Sequence, residues 1–228
     1  MSYRDFLRQN GIDANAYYQR LVAGGSEFAL SQAQLDLHAE ITQRNEIIPG
    51  IQNEVLHEVR RMWKSFSIRL YVPLIDMQHL WLIKMVVELE QALKENYEQR
   101  QSQLTDLLPD VKHYINEHFM AEEFMMDALE YNARNGHKNQ HAVFVKTVTS
   151  HDAEYATRTR HGASVLVHDL KEWLLSHIVI EDAKFAKLCR EKQAEAVKIS
   201  KQLIQEKKVQ FRKAQILLYQ YIVGQAGV

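Results

Sequence analysis

Histidines and carboxylates recur in this chain at four places whose spacing suits metal ligation: Asp76-Met-Gln-His79, His118-x3-Glu122, His137-x3-His141 and His177-x4-Asp182. Neutral imidazole is a good ligand for iron, copper and zinc, and a carboxylate can bridge two cations through its two oxygens. Residues at i and i+4 share a helical face, so His118 with Glu122, and His137 with His141, can point at one centre. Asp76 aside, the seven remaining ligands are more than one four-coordinate zinc needs. Five nitrogens and two bridging carboxylates suit two adjacent ions, with room for a solvent bridge and an open position. One spacing is awkward. His177 and Asp182 are five apart, about 140° around an ideal helix, and spacing alone prefers Glu181 at i+4.

Each cluster falls on its own amphipathic stretch. A first helix is expected just after Pro73, a residue that suits a first helical turn, with Ile75, His79, Leu82, Val86, Leu89 and Leu93 at steps of three and four. The pattern breaks around Thr105–Pro109, and a second helix is expected over 110–131. Its buried stripe includes Val111, Tyr114, Ile115, His118, Met125 and Leu129. Asn132–Gly136 reads as a turn by composition. A third helix is predicted over 137–158, a turn near His161–Ser164, and a fourth helix carrying Leu166, Leu170, Trp173, Leu174, His177 and Ile178. His79 and His118 are 39 residues apart, His141 and His177 36, and Glu122 and His137 only 15. Two hairpins of nearly equal length, about 23–25 Å per helix, therefore bring all four clusters to one level, near the turn between the second and third helices. The expectation is an all-α, up-down-up-down four-helix bundle with extra helices at both termini.

Residues 1–62 are expected to form a helical extension, with a break at 23–28 and a short amphipathic helix after Pro49 carrying Ile51, Val55, Val59 and Met62. Residues 63–188 are expected to form the bundle, and 189–228 a C-terminal amphipathic helix. In the last, Val197, Ile204, Phe211 and Leu218 recur every seven residues. So short a heptad stripe points first to packing within the chain, with a homodimer or a partner protein on the terminal helices as the alternative.

Composition supports long helices: 8 Gly and 3 Pro in 228 residues is sparse punctuation. A net charge of −1 gives no general pull toward nucleic acid or anionic lipid. The run from Lys198 to Lys213 is the one local basic feature and reads as a solvated face. No apolar run is long enough for a bilayer, and the N-terminus lacks a signal-peptide core. A single cysteine, Cys189, excludes a disulfide framework and a cysteine metal site. A cytoplasmic protein without nucleic-acid or membrane partners is the expectation.

Residues 63–188 resemble a hemerythrin domain of the bacterial kind. The matching pieces are Trp63-Lys-Ser-Phe66, Leu74-Ile-Asp-Met-Gln-His79, His118-Phe119-Met-Ala-Glu122-Glu123-Phe-Met-Met126, His137-x3-His141-x2-Phe144 and Trp173-Leu174-x2-His177-Ile178-x3-Asp182. Members of this family are themselves standard examples of the up-down bundle, so the expected architecture is not independent of the resemblance. The resemblance implies two non-haem iron ions with an oxo or hydroxo bridge. One would take His137, His141 and His177, the other His79 and His118, and Glu122 and Asp182 would bridge. It selects Asp182 over Glu181, which implies either a local distortion of the helix there or a side chain reaching round. It also implies that dioxygen binds at an open iron position inside an apolar pocket made by Phe119, Trp173, Leu174 and Ile178. The chain departs from the family in its longer hairpins and in Val87, a position that is often Asn. Neither removes a ligand.

Other candidates carry blander readings. His113, His151, His161 and His168 read as hydrogen-bonded core histidines rather than ligands, Met125 and Met126 as core, and Cys189 as inert. Glu123 reads as a solvent-facing residue or a hydrogen-bond partner beside the site. Glu54-x2-His57 matches half of a carboxylate-rich di-iron motif that needs two copies. Three functions stay open: reversible dioxygen binding for storage, delivery or sensing; an enzyme reducing peroxide or nitric oxide or oxidising ferrous iron; and an oxygen-responsive signalling module. The balance of five neutral imidazoles against two carboxylates favours the first, because less negative charge stabilises high-valent iron less.

Overall fold

Helix α1 (Asn53–Ser65) leads into α2 (Pro73–Lys94), α3 (Tyr97–Ala128), α4 (Arg134–Thr149) and α5 (Arg160–His177). A π turn (Ile178–Asp182) continues α5 into α6 (Ala183–Glu191), followed by α7 (Gln193–Gln205) and α8 (Lys213–Gly224). The structure, a computed structural model, describes residues 47–94, 97–149 and 159–224, with backbone alone for 97–106 and 149.

Every residue from Leu74 to Val87 is buried. A helix apolar around most of its circumference must be enclosed rather than laid on a surface, and α2 is enclosed by α1, α3, α5 and α8. In turn α3 packs on α4. Arg160 at the start of α5 reaches Leu93 O at the end of α2, and Lys138 near the start of α4 bonds Asp127 near the end of α3 at 2.6 Å. Neighbouring helices therefore run in opposite directions, and α2 to α5 form the up-down-up-down bundle expected from the sequence.

The terminal elements pack on this bundle. Val55, Leu56, Val59, Met62 and Trp63 give α1 one buried face, so Trp63 lies inside a helix and the expected division at 62/63 falls within α1. Ahead of it, Gly50 takes φ +81° and closes a tight turn, with Ile51 N–H donating to Ile48 O at 3.0 Å. The expected break at 23–28 lies outside the described residues.

Several boundaries differ from expectation. The second helix does not break at 105–109: α3 runs through Pro109. The lost N–H and ring clash cost about 3 kcal/mol, and the buried flanks Leu108 and Val111 help to offset this. The turn expected at 132–136 sits earlier. Glu130 adopts φ +56°, and Tyr131 N–H reaches back to Met126 O at 2.9 Å, a Schellman close made without glycine. Gly136 is consequently helical, in the first turn of α4. The turn expected at 161–164 is instead the first turn of α5, capped by Thr159, whose hydroxyl accepts Gly162 N–H at 3.1 Å. The part of the third helix expected beyond 149 falls mostly outside the described residues.

The single helix expected over 189–228 is divided. It breaks at Lys192, and again after Gln205, where Lys207 at φ +57° and the bond Lys208 N–H to Leu203 O close a second Schellman turn. The chain then reverses, and α8 lays the apolar run Ile216–Val223 against the bundle. Of the heptad positions Val197, Ile204, Phe211 and Leu218, only Leu218 is fully buried. The buried stripe of α7 is Ala196, Ile199, Ser200 and Leu203, and it packs toward α3 and α6.

Candidate metal centre

His79 owes its position to the entry of α2. Leu70 N–H and Tyr71 N–H donate to the two oxygens of Asp76 at 2.8 and 3.0 Å, tying the incoming arm to the first turn. Asp76 is thus a clamp rather than a member of the central cluster. Burial pushes its carboxyl up to about 6 despite those bonds. On α3, His118 and Glu122 are one turn apart, as are His137 and His141 on α4.

The π turn solves the awkward spacing of the last pair. Ala183 N–H bonds five residues back to Ile178 O, and this wider turn returns a residue five positions on to the same side. Asp182 Oδ1 thereby lies 3.1 Å from His177 Nε2. Glu181 is directed elsewhere and accepts from Lys184 Nζ at 2.8 Å.

The structure brings all seven sequence-predicted ligands together, each buried, in two overlapping groups. Glu122, His137, His141, His177 and Asp182 form one; His79, His118, Glu122 and Asp182 form the other; within each group the ligand atoms lie within 4.8 Å of one another. Asp182 spans both, with Oδ2 3.1 Å from His79 Nε2 and Oδ1 3.1 Å from His137 Nε2. Glu122 Oε2 lies 3.8 Å from His118 Nε2 and 3.6 Å from His141 Nε2.

These atoms are poorly satisfied by one another. His177 Nε2 is 2.9 Å from both His141 Nε2 and His137 Nε2. His141 uses its Nδ1–H toward Glu123 Oε1 at 3.0 Å, and His118 uses its own toward Gln78 Oε1 at 3.2 Å, which leaves their Nε2 lone pairs facing the cluster. The carboxylate approaches at 3.1 Å are misaligned for hydrogen bonding, so both Glu122 oxygens, both Asp182 oxygens and the Nε2 atoms of His79 and His118 remain buried without partners. An orphaned buried polar atom costs about 1–3 kcal/mol. A cation answers that cost directly: metal–nitrogen bonds of about 2.1 Å at right angles separate neighbouring nitrogens by about 3 Å, the spacing His177 already has to His141 and to His137. The residues fit a bound metal.

Electrostatics point the same way. Burial, together with neighbouring imidazoles, holds His118 and His141 well below the usual histidine range, so both are neutral. Burial and the charge of Asp182 push Glu122 well up. Burial works against Asp182 too, but His137, His177 and His79 outweigh it and hold this carboxyl well down.

Aromatic rings brace the ligands. Phe119 stacks on His141 at 3.7 Å between centroids, and Trp173 on His177 at 4.4 Å. Leu174 and Ile178 are buried on α5 and at the start of the π turn. Phe144, which stacks on Trp173 at 3.6 Å, belongs to this wall; the sequence placed it in a piece that matches the family but outside the expected pocket. Gln78 was also missed, although its place beside His79 was the available signal. Glu123 takes the hydrogen-bonding role beside the site that the sequence allowed.

The remaining candidates lie apart. His113, His161 and His168, expected in the core, are exposed instead, their imidazoles turned to solvent; Glu54 and His57 are exposed as well, and His151 is outside the described residues. Met125 and Met126 are core. Cys189 is buried, and burial pushes its thiol up to about 12, so it is inert. Among the described residues no helix is long and apolar enough to cross a membrane.

A helical bundle that buries seven imidazole and carboxylate ligands at one level defines a metal-binding protein of the four-helix class. The chain belongs to the hemerythrin family: the model of the hemerythrin HHE cation binding domain matches residues 71–189, a little over half its length. It is similar to a bacteriohemerythrin of Pseudomonas aeruginosa (strain PAO1), 28% identical over 130 residues that cover 56% of this chain and 80% of that protein. A bacteriohemerythrin of Stenotrophomonas maltophilia (strain R551-3) is 29% identical over 128 residues, 55% of this chain and 78% of that one. No solved structure matches the chain significantly.

Proposed function

We propose that the cluster holds two non-haem iron ions and that the protein binds dioxygen reversibly, for storage, delivery or sensing. The observation that carries this is the division of seven ligands into groups with three and two histidines that share both carboxylates. His137, His141 and His177 would hold one ion and His79 with His118 the other, with Glu122 and Asp182 common to both. When bound, two ferrous ions supply the electrons that dioxygen takes on binding and returns on release.

The chain's own residues do the rest. Phe119 and Trp173 fix the planes of His141 and His177 by stacking, and with Leu174 and Ile178 they keep the cluster apolar and exclude water. Among the described residues this wall offers no acid or base to protonate an oxygen and drive its cleavage, which favours return over turnover. Asp182 is held ionised and Glu122 is the group that releases a proton when a cation enters. The bacteriohemerythrin relatives support the same reading. A cytoplasmic setting is consistent with the single, buried thiol.

Iron analysis with optical spectra under air and argon tests this. About two iron per chain and an oxygenated spectrum that reverses under argon are expected. Rapid autoxidation with turnover of peroxide, nitric oxide or ferrous iron would make the protein an enzyme instead, and a chain that takes up no iron would end the proposal.

A further inference from the structure

We propose that the two halves of the cluster are unequal cation sites, and that Glu123 makes the three-histidine half the tighter one, so that cations load in a fixed order. This rests on reading the cluster as a site for two cations.

The inequality comes from what stands behind the ligands. His141 donates its Nδ1–H to the Glu123 carboxylate at 3.0 Å, whereas His118 donates to the Gln78 amide oxygen at 3.2 Å. Both acceptors fix the tautomer and orient the ring. They differ by a full negative charge. A carboxylate behind an imidazole makes its other nitrogen a stronger donor to a metal and adds attraction for the cation, and such partners change metal affinity by about 10–100-fold.

The charge of Glu123 is not neutralised elsewhere. Among the described residues it is ion-paired with no lysine or arginine, and the nearby Lys138 is held by Asp127 at 2.6 Å. With its side chain about one-third exposed, Glu123 keeps access to water, although burial pushes its carboxyl up, while its partner His141 is 2% exposed. Gln78, by contrast, is wholly buried and brings no charge to the two-histidine half. Three imidazoles against two adds to the same ordering. Glu123 acts through His141 and is therefore a positioning residue.

The test is a calorimetric titration of the metal-free full chain with cobalt(II), which binds without redox chemistry. Two resolved steps are expected in the wild type. Glu123→Gln should weaken the tighter step about tenfold and leave the weaker one unchanged. Gln78→Glu should strengthen the weaker step and narrow the gap. Glutamine at 123 still accepts the His141 N–H, so a role confined to orienting the ring would leave that variant at wild-type affinity. That result would overturn the proposal, as would two equal steps in the wild type. A wild-type chain that takes up fewer than two cations would remove the two-cation reading itself, and this inference with it.

Discussion

His177 and Asp182 stand five residues apart in sequence, yet the imidazole Nε2 and the carboxylate Oδ1 are 3.1 Å apart. The single π turn between them is what makes Asp182, rather than its neighbour, the second carboxylate, beside Glu122, common to both halves of the cluster. A regular α-helix would place Glu181 nearer to His177 and carry Asp182 about 140° away.

The two acids therefore separate by mutation. Asp182→Ala removes a carboxylate that lies 3.1 Å from His79, His137 and His177, and this variant should retain fewer than two iron per chain. Glu181→Ala loses only a surface bond to Lys184, and it should keep the full metal content with a stability change within about 0.5 kcal/mol. Metal analysis of the two variants checks this. The opposite pattern would make Glu181 the bridging group.

Asp76 gives the fold a pH dependence of definite sign. Its carboxyl is pushed by burial from the ordinary 3.8 up to about 6 in the folded chain, so the folded state binds the proton more tightly than the unfolded state. The stability tied to that proton is fully present below about pH 4 and is lost as pH rises through 6, a change of about 3 kcal/mol. Asp76→Asn abolishes this titration but also loses one of the two acceptors for Leu70 and Tyr71 N–H. Urea melts from pH 4 to 7 should show the variant near the wild type at pH 4, where the protonated carboxyl also offers a single good acceptor, and drawing ahead of it as pH rises. Parallel curves would show that Asp76 does not titrate in this window.

The turn between α3 and α4 contains two residues exchanged relative to what the backbone favours. Glu130 holds a left-handed conformation that costs an L-residue about 1–2 kcal/mol, while Gly136 lies in a helix where a Cβ would meet nothing within 4 Å. Glu130→Gly and Gly136→Ala should each raise stability by about 0.5–1 kcal/mol. Shifts of the urea midpoint with unchanged slope would register it. Destabilisation by Gly136→Ala would mean that α4 starts after that residue.

The sequence by itself pointed to the seven imidazoles and carboxylates that cluster and to the helical bundle that gathers them. Imidazoles and carboxylates at i and i+4 have a fixed angular relation on any α-helix, and near-equal distances from His79 to His118 and from His141 to His177 suit a common depth when each turn falls midway. Resemblance to known family members was needed to prefer Asp182, because the spacing argued for its neighbour. Tertiary structure decided the rest. The π turn that delivers Asp182 has no residue signature, since it depends on how the helix is gripped on either side. Pro109 and Gly136 misled because breakers report local cost, and packing of the helices that carry them can exceed that cost. The reversal at Lys207 uses no glycine, so nothing local marks it within the run to the C-terminus; packing of the apolar face of α8 on the bundle decides it. The difference between Glu123 and Gln78 was likewise hidden: which partner an imidazole's far nitrogen finds is a matter of three-dimensional approach, which spacing along a chain does not encode.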